Sequence, residues 1–193
     1  NYMFINILLP NKDKFDLKKP SSVSITVQKN FHHSIFQSQI RVFGNSLLTP
    51  MYKDNYEGIQ EPFNPFQSKN KNLAKNMCKQ IIASNTPCQL IEIHNRPYLF
   101  KYIFKKISMY PISIFFHNDP LEMNGSISLK EREYILKNAS IIFCVSNFIK
   151  EKFLKGLDGN SDKVVVLYNG VDRLLSKMPI KDKNVLFVGR LVP

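Results

Sequence analysis

The chain has 193 residues, of which 44% are hydrophobic and 22% are charged, a mix typical of a folded globular domain rather than a disordered one. Lys and Arg outnumber Asp and Glu by 27 to 15, so the net charge of +12 favours an anionic partner, whether a phosphate-rich substrate, a membrane surface or nucleic acid. Three cysteines without a C-x-x-C pair argue against a disulfide framework and a zinc site, and fit a reducing cytosol.

Neither a membrane span nor an export signal is predicted. Every apolar run falls short of the ~20 residues that a transmembrane helix needs. The first residues also lack the ordered charged, apolar and cleavage regions of a signal peptide. A cytoplasmic protein is therefore expected. Because the sequence starts without a methionine and stops at Pro193 just after a strand-like segment, we expect it to be part of a longer protein.

Short apolar runs recur along the chain and predict buried strands. In chain order they read MFINILL, QIRVF, CQLIEI, ISIFF, SIIFCV, KVVVLY and NVLFV. Their apolar character is continuous rather than alternating, which indicates burial on both faces. Strands of this kind are typical of a parallel sheet that lies between helices.

Segments with helical spacing separate the strands. Apolar residues recur every four positions from Val23 to Ile35, after a Pro-Ser-Ser start signal, and again from Leu73 to Ile81. Further helices are predicted to begin at Pro97, at Ser128, where Glu131 completes a capping box, and at Ser146 or Asn147.

This alternation predicts an α/β fold, a Rossmann-like doubly wound and mostly parallel sheet with helices on both faces. Residues 45–66 contain three prolines and fit no pattern, so a surface excursion is expected there. After Gly170 a linker-like segment leads into NVLFV. We therefore expect residues 1–173 to form one domain and residues 174–193 to be the linker and first strand of a second, truncated domain.

Polar groups follow five of the predicted strands. They are His94-Asn95-Arg96-Pro97, His117-Asn118-Asp119-Pro120, Ser146-Asn147, Asn169-Gly170-Val171-Asp172 and Gly189-Arg190. The carboxyl ends of parallel strands meet along one crevice, so the functional site is predicted in that crevice.

The same stretches, IEIHNRP, ISIFFHNDP, ASIIFCVSNFIKEKFL, KVVVLYNGVD and NVLFVGRLVP, resemble in order and spacing the glycosyltransferase family 4 type of the GT-B fold. The resemblance runs from about residue 89 to the end of the sequence. Residues 1–88 match only as a strand, a helix and a strand.

The resemblance implies a chemistry and a set of partners. Such enzymes transfer a sugar from a nucleotide-diphosphate sugar to an acceptor, with retention at the anomeric carbon and with no metal or other cofactor. Their amino-terminal domain takes the acceptor, here expected to be a glycan or lipid-linked molecule of cell-surface polysaccharide or lipopolysaccharide synthesis. Their carboxyl-terminal domain holds the nucleotide.

The resemblance also implies roles for residues on the donor side. His117 corresponds to the histidine that faces the donor sugar and is the predicted catalytic residue, with a histidine that merely satisfies a loop carbonyl as the alternative. Gly189 and Arg190 correspond to the start of the phosphate clamp, in which a guanidinium neutralises the leaving diphosphate. The companion lysine and the E-x7-E motif of the family are absent, so this chain alone is expected to be inactive.

Three further residues are predicted to bind substrate. Asp119 orients His117 or contacts the acceptor, unless it only caps a turn. His94 belongs to the first histidine-containing turn. Asn169 adjoins the crevice, although a simple tight turn with a positive φ at Gly170 is the alternative.

The first loop departs from the family pattern. Many relatives carry a glycine-rich loop after the first strand, whereas LLPNKDKFDLKKPSS contains no glycine. A close approach of backbone to the donor phosphates is therefore not expected there. Four lysines in this loop supply charge instead, or are only solvated: Lys12, Lys14, Lys18 and Lys19.

The segment PYLFKYIFKKI predicts a basic, aromatic helix that can rest on an anionic membrane surface, which suggests peripheral docking on the inner face of the membrane. Two other classes of protein stay open. A basic nucleic-acid-binding module would show a helix-turn-helix, RNP-type strands or an Arg patch, and none is present, so no nucleic-acid partner is expected. A nucleotide-sugar-modifying Rossmann enzyme would carry G-x-G-x-x-G after the first strand, and that motif is also missing.

Overall fold

The computed structural model describes residues 3–60, 68–84, 88–159 and 161–170. Within these ranges the strands are β1 Met3–Leu8, β2 Ile40–Asn45, β3 Tyr56–Ile59, β4 Cys88–His94, β5 Ile112–Phe116, β6 Ile141–Cys144 and β7 Val164–Val166. They form one sheet in the order β3-β2-β1-β4-β5-β6-β7, and every neighbouring pair is parallel. The predicted doubly wound α/β architecture is confirmed.

The α-helices of the described ranges are α1 Ser22–His32, α2 Lys69–Ala83, α3 Pro97–Ile107, α4 Leu129–Asn138 and α5 Asn147–Leu154. Their starts follow local chemistry. The Ser128 hydroxyl accepts from the backbone of Glu131 while the Glu131 carboxylate accepts from the backbone of Ser128, which is the predicted capping box. Pro97 takes the first position of α3, where its missing N–H costs no hydrogen bond. Ser146 caps α5.

The two faces of the sheet are covered unequally. One face, here called the four-helix face, packs buried side chains of α2, α3, α4 and α5 against alternate residues of the strands, such as Ile91, Ile114 and Ile142. On the opposite face, the α1 face, buried residues of α1 pack against β1 and β2 in a separate cluster that includes Val27 and Ile7. Among the described residues, no helix belongs to the cluster on this face besides α1.

The reason for this asymmetry lies in the strand order. Right-handed crossovers to the left of β1 and to the right of β1 place their helices on opposite faces. The connection from β1 to β2 runs leftwards and contains α1, whereas the connections that contain α2 to α5 all run rightwards. Beyond β4 the α1 face therefore shows partly exposed side chains, such as Ile141, Val165 and Leu167.

Two predictions about local structure are wrong. Ile35 lies past the end of α1 and is 89% exposed, so the apolar stripe ends at Phe31. The stretch 45–66 is not wholly irregular, because it contains the edge strand β3. β3 escaped the sequence pattern since only one of its four residues, Ile59, is buried.

Several predictions fall outside the described residues. They concern the strand NVLFV and the boundary between residues 173 and 174. Within the part of the chain that the structure describes, no helix is both long and apolar enough to cross a bilayer.

Candidate functional site

The carboxyl ends of the strands border a polar cleft of about 260 Å³. Its walls come from the loops after β1, β4, β5 and β7 and from the first turns of α1. Side chains that line it include Lys12, Thr26, Arg96, His117, Asn118 and Asn169. The predicted crevice therefore exists, and three of the five predicted polar turns contribute to it.

The charge of the cleft is mixed. Lys12 and Arg96 supply two cations and Asp13 supplies one carboxylate. The remaining polar groups are amides, two hydroxyls and an imidazole, which suit a ligand with many hydroxyl groups and some negative charge. Ser22, the first residue of α1, also lines the cleft. The N–H of Ser24 in the first turn of α1 already donates to the side chain of the capping residue Ser21, so this N–H is satisfied within the protein.

Two histidines meet at the centre of this edge. His94 is the last residue of β4 and His117 directly follows β5, and the two strands pair in parallel register with His94 opposite Phe115. His94 Nδ1 and His117 Nε2 are 2.9 Å apart, a hydrogen-bond distance. The ring centroids are 5.2 Å apart with 25° between their planes, so the rings meet edge to edge rather than face to face.

Burial sets the protonation of His117. His94 is only 1% exposed and stacks on Phe115 with centroids 4.5 Å apart. Burial, helped by the neighbouring His94, lowers the pKa of His117 from 6.5 to about 3. His117 is therefore neutral at physiological pH, and a neutral imidazole can donate one hydrogen bond and accept another.

The turn after β4 holds the turn after β5. Asn95 has φ 51°, in the left-handed region that asparagine tolerates better than most residues. Its Oδ1 accepts the backbone N–H of His117 at 2.9 Å, and its own N–H donates to the Phe115 carbonyl at 3.0 Å. Arg96 Nη1 in turn donates to the Asn95 carbonyl at 2.6 Å. These bonds fix the backbone that carries His117.

The other predicted residues of these turns lie in helix and turn caps. Asp119 accepts the Leu121 N–H at 2.9 Å and pairs with Lys152 Nζ at 3.5 Å. Both contacts belong to a short 3-10 turn and to α5, and Asp119 is not among the described residues that line the cleft. Ser146 accepts the Ile149 N–H at the start of α5. A structural role therefore accounts for the contacts of both side chains.

Asn169 lies across the cleft from this pair of turns. Its Oδ1 accepts a hydrogen bond from the Thr26 hydroxyl at 3.4 Å, which links the exit of β7 to α1. The next residue, Gly170, does not have the positive φ that the tight-turn alternative expected, and a Cβ there would meet no atom within 4 Å. Asn169 is thus placed to contact a ligand, and its role as a binding residue stays a prediction.

Gly189 and Arg190 lie outside the described residues. The described ranges contain no group of three or more His, Cys, Asp or Glu side chains that could hold a metal ion. Cys144 is fully buried in β6, and burial raises the pKa of its thiol to about 12.

Sequence reasoning singled out the turns but missed several of their functional contacts. Glu92, two residues before His94 on the same side of β4, has a carboxylate Oε2 3.7 Å from His94 Nε2. The period of a strand predicts that Glu92 and His94 share a face. Their relation to His117 depends on the register between β4 and β5, which no local pattern reveals. Asn95 could have been suspected, because asparagine is frequent in turns and tolerates the left-handed region.

Comparisons with known proteins agree with this architecture. The model of the family described as Glycosyltransferase Family 4 matches residues 39–173. HepE of Anabaena, solved in complex with UDP and glucose, superposes with a TM-score of 0.58 at 17% identity, over 88% of this chain and 45% of HepE. The N-terminal domain of trehalose-6-phosphate phosphatase of Candida albicans gives a TM-score of 0.54 at 13% identity, over 89% of this chain and 49% of that structure.

At these identities the structural likenesses show the fold alone. The chain spans less than half the length of each of these structures. No curated protein sequence matches it significantly. The family match is different in kind, since it covers well over half of the chain and includes the turns after β4, β5 and β7. This chain belongs to Glycosyltransferase Family 4.

Proposed function

We propose that the chain is the acceptor-side half of a transferase that moves a sugar from a nucleotide-diphosphate sugar to an acceptor, with retention of configuration and without a metal ion. The observation that carries the proposal is the neutral His117 in a polar cleft at the carboxyl ends of the strands. Membership of the family supports the reaction class.

The donor side of the proposal draws on the structural neighbours. HepE was solved with UDP and with UDP-glucose, which supports a nucleotide sugar as the donor class here. Gly189 and Arg190 are proposed to bind the diphosphate, because a guanidinium donates paired hydrogen bonds to phosphate oxygens and offsets part of their negative charge without a metal. His117 is proposed to contact the sugar, and Lys12 and Arg96 add positive charge to the same cleft.

The acceptor is proposed to be a glycan or a lipid-linked molecule of polysaccharide or lipopolysaccharide synthesis at the cytoplasmic side of the membrane. His94, Asn169 and Asp119 remain proposed substrate-binding residues, with different support from the geometry. Asn169 lines the cleft, whereas His94 reaches it only through His117 and Asp119 is engaged by its own turn.

The central test is His117→Ala in the complete reading frame that encodes this chain. We expect turnover of nucleotide sugar to fall by on the order of 100-fold, because a positioned imidazole contributes about that much in comparable sites. The folded state should be retained, as judged by circular dichroism and thermal unfolding.

His32→Ala is the matched control. His32 is an exposed histidine at the end of α1, so this variant makes the same substitution away from the cleft. Turnover should be unchanged in the control. Equal turnover in His117→Ala and the unaltered enzyme would remove His117 from the mechanism.

Peripheral membrane docking through α3 is a further part of the proposal. Lys101, Lys105 and Lys106 are exposed on this helix, which supports an electrostatic contact with an anionic bilayer. The aromatic residues give less support. Phe100 is fully buried and cannot contact a bilayer, whereas Tyr98 is 37% exposed.

Sedimentation with vesicles that contain anionic lipid tests this contact. Changing Lys101, Lys105 and Lys106 to Glu should abolish most of the binding. The same reversal at Lys14, Lys18 and Lys19, which are exposed in the first loop, makes an equal change in net charge and should reduce binding less. Equal binding by both triple variants would contradict a specific role for α3.

A further inference from the structure

A carboxylate lies behind the two histidines of the cleft. Glu92 and His94 project from the same side of β4, and Glu92 Oε2 is 3.7 Å from His94 Nε2. This is too long for a good hydrogen bond but close enough for a strong electrostatic interaction. His94 Nε2 is buried and has no hydrogen-bond partner, so the carboxylate is the charged group that this nitrogen faces.

Glu92 is itself accessible to water. Its side chain is 19% exposed and lines a groove of about 510 Å³ on the α1 face, into which Lys29 and His33 also project. Glu92 therefore places its carboxylate at the wall of this groove. The remaining lining is largely apolar, so the negative charge acts on His94 with less screening than it would in bulk water.

Two hydrogen-bond polarities are possible between neutral rings that meet through His94 Nδ1 and His117 Nε2. If His94 donates from Nδ1, its Nε2 carries a lone pair that faces the Glu92 carboxylate, which is repulsive. If His117 donates from Nε2, His94 carries its proton on Nε2 and directs that N–H to the carboxylate, which is attractive.

The second polarity leaves His117 with an unprotonated Nδ1. His117 lines the cleft, and Nδ1 is the ring nitrogen that His94 does not engage. We propose that Glu92 is a positioning residue that acts through His94 and holds His117 in the tautomer whose Nδ1 accepts a hydrogen bond from the cleft. Such an atom receives the O–H of a neutral sugar hydroxyl and repels a phosphate oxygen, which has no proton to donate.

This inference rests on the proposed function only for the identity of the ligand, because the tautomer is a property of the protein. On this proposal, a sugar of the donor or of the acceptor binds next to His117. The diphosphate must then be held by cationic groups elsewhere in the site. The contribution of Glu92 is indirect, since its carboxylate touches His94 and not the cleft.

Nitrogen-15 NMR of histidine-labelled protein at pH 7.5 distinguishes the tautomers directly. We expect His117 to show an unprotonated Nδ1 and a protonated Nε2, and His94 to show the same pattern. A preference of roughly tenfold or more is expected from a unit charge at this distance in a partly buried site. Protonation of His117 at Nδ1, or shifts averaged between the two forms, would overturn the proposal.

Glu92→Leu then tests whether the carboxylate is the cause. Leucine suits the apolar groove and removes the charge, so the reverse tautomer should rise to a readily measured fraction. Glu57→Leu is the matched control, because Glu57 lies on β3, with β2 and β1 between it and β4, and the change is the same. It should leave the His117 signals unaltered.

A His117 spectrum that is the same in Glu92→Leu and the unaltered protein would overturn the role of Glu92, as would a tautomer change in the control. Should Glu92→Leu fail to fold, Glu92→Gln removes the charge without changing the shape. In that variant the reverse tautomer should become detectable, and a spectrum identical to that of the unaltered protein would equally end the proposal.

Kinetics of the complete enzyme separate this inference from the proposed function. If the protein is a sugar transferase, Glu92→Leu should reduce turnover several-fold while the affinity for UDP alone stays the same. Loss of UDP affinity together with turnover would indicate a general structural role and would contradict the proposal. The expected tautomer in a protein that transfers no sugar would instead refute only the proposed function.

Discussion

The two faces of the sheet carry different kinds of side chain. The four-helix face contains a continuous apolar cluster that extends from α2 to α5 and includes fully buried rings such as Phe100 and Phe116. The α1 face, beyond the short cluster under α1, carries Glu92, His94 and partly buried aromatic residues. One face therefore carries the larger apolar cluster, while the other also holds Glu92 and His94, titratable groups that a fully apolar core would not accept.

Removal of one ring from each face tests whether the two faces contribute unequally to stability. Phe116 is fully buried on the four-helix face against Phe153, with ring centroids 5.3 Å apart, so Phe116→Ala should cost about 3–5 kcal/mol. Phe143 is only partly buried on the α1 face, and Phe143→Ala should cost about 1 kcal/mol.

Urea unfolding of both variants measures this difference, with the midpoint shifting at constant slope. Equal losses of stability would show that the α1 face over β6 is as well packed in solution as the four-helix face. The comparison of the two faces would then fail.

The stability of the protein should also depend on pH through His117, which lies on the α1 face. An unfolded histidine takes up a proton near pH 6.5, whereas the lowered pKa keeps His117 neutral in the folded state down to about pH 3. Between these values the unfolded chain binds more protons, so this histidine makes the folded state less stable as the pH falls.

The slope attributable to one such group is at most about 1.4 kcal/mol per pH unit. The difference between the unfolding free energies at pH 7 and pH 5 should therefore be smaller in His117→Gln than in the unaltered protein. An unchanged difference between the two pH values would mean that the pKa of His117 is the same in the folded and the unfolded protein, which would contradict this prediction. Cys144→Ala, on the four-helix face, should leave the pH dependence in this range as it is.

The smallest expected effect lies at the solvent edge of the four-helix face. Ser128→Ala removes the hydroxyl that accepts the Glu131 N–H at 3.3 Å, and should cost about 1 kcal/mol. Ser22→Ala, at an exposed serine that is the first residue of α1 but not its cap, should cost less. The midpoints of thermal unfolding compare the two, and an equal shift would show that the capping box does not stabilise α4.

The contrast between the faces also explains what could be predicted from the sequence. Continuous apolar runs, such as ISIFF, predicted a buried parallel sheet, and the polar residues that follow the strands predicted the position of the crevice. The edge strand β3 was missed because its short sequence, YEGI, is not apolar throughout. With four residues and one buried side chain, β3 is too short for the alternation that marks a half-buried strand.

Within the candidate site, the limit of prediction is the register of the sheet. The turns that contain His94 and His117 could be found by their position after strands. That their ring nitrogens come within 2.9 Å depends on β4 and β5 pairing as they do, over a separation of 23 residues. The carboxylate of Glu92 was overlooked, because nothing in the local pattern of β4 relates it to His117.

The central position of β1 has a consequence for biosynthesis. One flank of β1 pairs with β2, but its other flank pairs with β4, where Met3 lies opposite Cys88. Ribosomes add roughly 5–20 residues per second, so that flank stays without its partner for several seconds while the intervening chain is made. A nascent polypeptide with an open strand edge next to an apolar surface is a natural client for chaperones.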